Sequence, residues 1–388
     1  MRGFFLLKKN LMMQPKILQI LFFLLSTFLI AQDPCEGRYS EEIFEDVEVT
    51  TVTYSEIHDL QMDIYRPIGD TETNRPLIIF AHGGTFIFGS KNNPTAVDFC
   101  EAFAKRGFVT ASINYRLAND IVGFFQQFTF YTNTESAYEV VLNAAMDGKA
   151  AIRYFRKDFY EKNNTYGIDP NQIWAGGNSA GGVLYLHAAH VESVDEFISP
   201  LDSNRATIAQ SLFDELGGIE GNSGNEGFSS SISGVISLAG ALHRSEYIDL
   251  DDVPSVFCHG DADGIVPYDC DGFQNNPNYD QLCGGGALYP ELNSYNLETN
   301  LLTFPGDGHC PWGSSSAKMG QVISFVSQFV YDNLDCSNPT VNTSEIFKKK
   351  NLTYKLNLLG QEINNHNEGF LISVFDDGSV EKKYILKY

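Results

Sequence analysis

The segment Gly177-Asn178-Ser179-Ala180-Gly181 sets a serine between two glycines, after the apolar run Ile173-Trp174-Ala175 and before the helix-forming run Val183 to His190. A serine hydroxyl is a weak nucleophile at its own pKa, so it needs a base within hydrogen-bond reach and a group to orient that base. It also needs donors for the charge that develops on an attacked carbonyl. A serine spaced in this way is expected on a strained strand-to-helix turn, where glycine flanks remove bulk and the following helix aims N–H groups at negative charge.

The remaining parts can be sought among the other polar residues. His82-Gly83-Gly84-Thr85 ends the apolar run Leu77 to Ala81, and its small residues let backbone approach a carbonyl; Gly83, Gly84, Thr85 and Ala180 are therefore the expected oxyanion donors. Of the eight histidines, His309 in Pro305-Gly306-Asp307-Gly308-His309 follows the last expected strand and is the expected base. His187 and His190 lie on the helix after Ser179 and are expected to pack or face solvent, whereas His58, His243 and His366 fall in turns or loops without a matching strand end. The orienting acid comes from His259-Gly260-Asp261-Ala262-Asp263-Gly264-Ile265-Val266-Pro267. Both Asp261 and Asp263 could accept from an imidazole N–H; Asp263 is preferred because the apolar Ile265-Val266-Pro267 would hold its loop against the sheet and dry the bond. A calcium loop built on Asp261, Asp263, Asp269 and Asp271 competes for these residues but fails the EF-hand spacing. No C-x-x-C occurs, and no metal or organic cofactor is expected.

These groups need a frame. Alternating polar and apolar residues in Val47 to Tyr54 and Leu60 to Tyr65 predict an opening hairpin, with His58-Asp59 at its turn. Unbroken apolar runs at 76–81, 108–113 and 173–175 predict buried parallel strands, with later ones at 234–238, 255–258 and 301–304. Helical periodicity fills 94–106, 137–160 and 316–334. Alternation of this kind predicts an α/β fold, an open, mostly parallel sheet of about eight strands with helices on both faces. Segments 119–135 and 191–231 break the alternation, the second as a long, polar, Gly-rich loop, and both are expected to wall the cleft above the strand ends.

At 388 residues, 43% hydrophobic and 13% aromatic, the chain has ample apolar surface for one large core with small appendages. A net charge of −23 makes nucleic acid and anionic membranes unfavourable partners. Residues 1–31, basic residues followed by the apolar run Ile17 to Ile30, read as an export signal too short for a stable membrane span. Export permits disulfides among the seven cysteines, and Cys270 with Cys283, flanking a polar loop, is the expected pair.

The order Ser179, Asp263, His309 is that expected of α/β-hydrolases. Together with His82-Gly83-Gly84, Asn114-Tyr115-Arg116-Leu117, Asp147 to Tyr154 and Gly167 to Ile173, it makes residues 60–335 resemble the esterase and lipase branch of that fold, the carboxylesterase-like proteins with a His-Gly-Gly oxyanion motif. The resemblance implies a secreted serine hydrolase of carboxylic esters, small or polymeric, acting through an acyl-enzyme. An oligopeptidase-like serine peptidase and a binding protein that keeps the fold without chemistry are the rivals. The sequence departs from the family pattern at Thr85, where a third glycine is usual, and at Asn178, where an acid is common. The last 45 or so residues, with Leu358-Leu359-Gly360 and Asp376-Asp377-Gly378-Ser379-Val380-Glu381-Lys382-Lys383, resemble the C-terminal sorting domain read by the type IX secretion machinery. The expected organisation is thus a signal at 1–31, a catalytic domain at 32–340 and a small C-terminal β module for sorting at 341–388.

Overall fold

β1 (Val47–Ser55) and β2 (Leu60–Pro67) form the opening antiparallel hairpin, with Thr51 opposite Asp63 and Asp59 left-handed at the turn (φ 50°). The later strands are β3 (Arg75–Ala81), β4 (Val109–Ile113), β5 (Ile168–Asn178), β6 (Gly234–Leu238), β7 (Ala241–Leu242), β8 (Ser255–Gly260), β9 (Cys270–Gly272), β10 (Gln281–Gly284) and β11 (Thr299–Phe304). In this computed structural model, residue 35, residues 37–336 and the backbone of 352–356, 369–375 and 380–385 are described. The export signal expected at 1–31 lies outside the described residues, as does the Asp377-Gly378 turn.

Eight strands make one sheet in the order β1-β2-β4-β3-β5-β6-β8-β11, parallel from β4 onward. Its centre is β3, whose Leu77, Ile78, Ile79 and Phe80 are wholly buried because helices cover both faces. Burying each such side chain contributes about 1.5–3 kcal/mol, which is why the runs without polar alternation take the middle of the sheet.

The helices are α1 (Pro94–Ala104), α2 (Ala118–Ile121), α3 (Thr134–Glu161), α4 (Ala180–His190), α5 (Val194–Ile198), α6 (Ser203–Leu216), α7 (Gly285–Ser294) and α8 (Ser316–Asp332). Their starts follow from side chains that satisfy free N–H groups: Asn93 caps Thr95, Asn133 caps Ser136 and Ser315 caps Lys318. The structure corrects the expectation of one long loop at 191–231. α5 starts on a reciprocal Ser193–Glu196 capping box, and α6 starts at Asp202 and stops at left-handed Gly217 (φ 86°). These signals are in the sequence but are masked by the polarity of the surrounding residues.

What remains irregular, residues 217–231, is tied to α3. Lys149 Nζ donates to Ile219 O (2.9 Å), Arg153 Nη1 to Glu220 O (2.7 Å) and Arg156 Nη1 to Ser229 O (2.7 Å). Nearby, Arg116 grips the fully buried Asp147 carboxylate through Nε and Nη2 (3.0 and 2.7 Å), and Ser223 Oγ donates to the same group (2.7 Å). Asp147→Ala leaves the largely buried Arg116 guanidinium unpaired. It is expected to lower stability by about 3–5 kcal/mol in urea unfolding, and an Arg116→Met/Asp147→Leu pair to recover most of that loss.

β7, β10 and β9 form a separate three-stranded sheet that periodicity did not reveal, because strands of two to four residues carry no readable alternation. Cys270 and Cys283, opposite each other in β9 and β10, are disulfide-bonded. Cys35 and Cys336 are also oxidised, and Cys100, Cys258 and Cys310 are free thiols. At the C-terminus β12 (Leu352–Leu356), β13 (Gly369–Phe375) and β14 (Val380–Ile385) form an antiparallel sheet of their own.

Candidate active site

Ser179 sits between β5 and α4 with φ 53° and ψ −116°, a conformation that L side chains rarely adopt. Its N–H is held by Leu238 O on the neighbouring strand (2.7 Å). The two flanking glycines are sterically required. A Cβ on Gly181 would lie 2.1 Å from Ala81 O, and one on Gly177 would lie 2.4 Å from the Gly181 carbonyl carbon. The side chain that the sequence singled out is thereby presented at the carboxyl ends of the central strands.

The β11 strand end delivers His309 to it. His309 Nε2 lies 2.8 Å from Ser179 Oγ, and His309 Nδ1 lies 2.6 Å from Asp263 Oδ2. A carboxylate only accepts, so Nδ1 carries the proton and a neutral His309 accepts from Ser179 at Nε2. The structure separates the two candidate acids. Asp261 Oδ1 accepts from Gly306 N (2.6 Å) and so shapes the loop that carries His309, whereas Asp263 reaches the imidazole itself. Asp263 Oδ1 is pinned by the N–H groups of Ile265 (2.8 Å) and Val266 (3.1 Å), the apolar stretch expected to hold its loop.

His259 supplies a contact that sequence reading assigned only to the start of this loop. Gly285 N donates to its Nδ1 (3.3 Å), which leaves Nε2–H to donate to Asp263 Oδ2 and Val266 O (3.2 Å each). Burial opposes the charge on Asp263, yet hydrogen bonds from His259 and His309 hold its pKa well below the usual carboxylate range. Burial likewise disfavours the His309 imidazolium, but Asp263 outweighs it, with Cys310 adding, and raises the His309 pKa above that of an ordinary imidazole.

The His82-Gly83-Gly84-Thr85 loop packs onto the serine turn: a Cβ on Gly83 would lie 3.2 Å from Ser179 Cβ. Gly84 (φ 130°) leaves room for Phe88 O, and Gly84 O accepts from Ile87 N and Phe88 N (2.9 and 3.0 Å). Thr85 is itself left-handed (φ 56°), at a cost of about 1–2 kcal/mol that a glycine would not incur. His82 is a structural piece: its Nδ1–H donates to Gly83 O (2.8 Å), its ring stacks on Tyr115, and Tyr115 OH donates to His82 O (2.8 Å). Burial lowers its pKa to about 4. Trp312 Nε1 donates to Asn178 Oδ1 (2.7 Å), a use for the position where an acid is common in the resembled family.

Ser179, Thr85 and Ala180 line an apolar cavity of about 100 Å³ together with Phe86, Phe130, Tyr131, Val183, Ile265 and Leu282. The cleft role expected of 119–135 thus falls on Phe130 and Tyr131, and from 191–231 Phe197 alone reaches the cavity. His243, expected in a loop, is buried and lines the cavity together with His187. Their tautomers follow from their partners. His243 N donates to His187 Nε2 (3.2 Å) while Val183 O accepts from His187 Nδ1 (2.8 Å). Tyr247 OH donates to Phe197 O (3.0 Å), so it accepts from His243 Nδ1 (3.1 Å). Burial lowers the His187 pKa to about 4 and holds that of His243 well below the usual imidazole value, so both line the cavity as neutral rings. His190, also buried, pairs with Asp252 (2.7 Å) and is not part of the site. Among the described residues no cluster of metal-ligating side chains occurs, and Asp263 is committed to the two histidines.

Comparison with known proteins agrees with this architecture. A model of the BD-FAE family matches residues 62–128. Arylacetamide deacetylase-like 2 of Homo sapiens is 34% identical over 140 residues, 35% of this chain and 29% of that protein. Gut esterase 1 of Caenorhabditis elegans is 30% identical over 159 residues, 39% of this chain and 26% of that protein. The chain therefore spans less than a third of the length of these curated relatives. Among solved structures, Thermogutta terrifontis esterase 2 phosphorylated by paraoxon superposes with a TM-score of 0.51 at 20% identity, covering 73% of this chain and 94% of that one. The fold is that of an α/β-hydrolase, with an eight-stranded, mostly parallel sheet and a small antiparallel sheet at the C-terminus.

Proposed function

We propose that this chain is a serine carboxylic ester hydrolase in which Ser179 is the nucleophile, His309 the general base and acid, and Asp263 the residue that orients His309. The observation that carries the reading is the continuous hydrogen-bond chain Ser179 Oγ to His309 Nε2 (2.8 Å) and His309 Nδ1 to Asp263 Oδ2 (2.6 Å), with Ser179 lining an apolar cavity. Support also comes from relatives named as an esterase and a deacetylase.

In the proposed cycle Ser179 Oγ attacks the ester carbonyl carbon while its proton passes to His309 Nε2. The developing oxyanion is met by backbone N–H groups of Gly83, Gly84, Thr85 and Ala180, each lost donor costing about 3–4 kcal/mol in such sites. His309 returns the proton to the leaving alcohol oxygen as the C–O bond breaks, leaving an acyl-Ser179 ester. Water then gives a proton to His309 and its hydroxyl to the acyl carbon, and Ser179 regains its proton as the carboxylic acid departs. The chemistry needs no cofactor.

The test is labelling of folded protein by a fluorophosphonate probe, with the modified peptide mapped, beside hydrolysis of p-nitrophenyl esters of graded acyl length and of peptide substrates. Label on Ser179 with ester turnover is the expected result. Peptide cleavage without ester cleavage would transfer the site to a peptidase, and absence of both label and turnover would leave a binding protein. The basic and apolar start of the chain and its C-terminal segment support export through the type IX route. That reading fails if a chain lacking residues 341–388 reaches the medium of a type IX-competent host as efficiently as the full chain.

A further inference from the structure

Four phenylalanines stand out on the exposed surface: Phe125 is 89% accessible, Phe124 65%, Phe88 60% and Phe128 44%. They form one patch, because the ring centroids of Phe88 and Phe128 are 6.0 Å apart, those of Phe124 and Phe128 6.3 Å, and those of Phe124 and Phe125 5.7 Å. Scattered exposed apolar residues need no explanation, but a contiguous aromatic cluster on a water-facing surface does.

We infer that this patch seats the protein on the apolar surface of an aggregated, uncharged ester, next to the opening that receives one molecule of it; the identity of that surface as substrate rests on the proposed esterase activity. Three observations select this occupant. The patch is joined to the cavity wall through two loops: Phe88 shares its loop with the wall residues Thr85 and Phe86, and Phe124, Phe125 and Phe128 share theirs with the wall residues Phe130 and Tyr131. It is uncharged, since neither 121–134 nor 83–90 contains an acidic or basic residue, while the chain as a whole carries −23. An anionic bilayer or a second copy of the chain would meet that negative field without any cation in the patch to offset it. The rings are also not coplanar: Phe124 meets Phe125 at 82° and Phe128 at 85°, giving a rounded apolar knob rather than the flat strip on which a saccharide chain stacks.

The docking arm of the experiment uses full-length Ser179→Ala protein, so that binding is read without turnover. Flotation with neutral triacylglycerol droplets is expected to carry it into the floating layer, and Phe124→Ser/Phe125→Ser in the same background is expected to reduce the floated fraction about tenfold or more. In the Ser179-intact chain the same double substitution is expected to leave hydrolysis of dissolved p-nitrophenyl acetate within about twofold and to remove any rate increase above the solubility limit of tributyrin. Equal flotation of parent and variant, or flotation of neither, overturns the inference. So does a dimer in sedimentation that the double substitution breaks, or retention on insoluble polysaccharide in place of droplets. Flotation that depends on the two phenylalanines, with no ester hydrolysis by the intact chain, would instead retain the docking surface and remove the esterase reading.

Discussion

Ser179→Gly is expected to abolish ester hydrolysis and at the same time to raise the melting temperature. The loss follows from removing the proposed nucleophile: in triad enzymes this costs about 10⁴–10⁶ in kcat, leaving only what binding and the oxyanion donors supply. The gain follows from the backbone. Ser179 is held at φ 53° and ψ −116°, where a Cβ is strained by about 1–3 kcal/mol and glycine is not. Against this stands the extra entropy of glycine in the unfolded chain, about 0.5–1 kcal/mol. The net is about 1 kcal/mol of stability, or roughly 1–2 °C for a chain of this size. Ser179→Ala should lose activity equally without the stability gain, because alanine keeps the Cβ. Calorimetry on the three proteins checks the stability claim. If glycine melts below alanine, the turn is not strained in solution.

Asp263→Asn is expected to lower kcat by about 10⁴ with little change in KM, and the reason lies in which oxygen is already committed. Oδ1 accepts from the N–H groups of Ile265 and Val266, so an amide places its oxygen there and its NH₂ where Oδ2 was. That NH₂ then faces His309 Nδ1 and makes it an acceptor, which puts the proton on Nε2 and leaves Ser179 without a base. The pH profile carries the sign. His309 works as a base only when neutral, and Asp263 raises its pKa above the ordinary imidazole value. The rising limb of kcat/KM against pH should therefore lie above pH 6.5 in the parent and move to lower pH, at greatly reduced height, in Asp263→Asn. An unshifted limb would mean that Asp263 does not set the charge of His309.

How far each of these features could be read in advance depended on the range of the interaction behind it. The serine turn was legible because its constraint is local: glycine on both sides, an apolar strand before and a helix after are all within a few residues of Ser179. The buried strands were legible because burial on two faces removes polar alternation altogether. α5 and α6 were hidden within 191–231, although Ser193, Glu196, Asp202 and Gly217 are proper start and stop residues, because their polar surroundings read as loop. β7, β9 and β10 are too short for any period to register.

The sequence alone determined the types and the chain order of the proposed reacting groups, Ser179, then the Asp261/Asp263 loop, then His309, and it determined the parallel sheet whose strand ends carry them. Only the tertiary structure decided between Asp261 and Asp263, because that choice turns on where the β11 loop crosses the β8 loop, and Asp261 is spent there on Gly306 N. The structure alone also revealed His259 behind Asp263 and the neutral His187–His243 pair in the cavity wall. It likewise separated Phe130, which walls the cavity, from Phe125, which faces water, although both lie in one uncharged run. Each of these depends on contacts between residues tens of positions apart or on which way a side chain faces, and neither is fixed by neighbours in sequence.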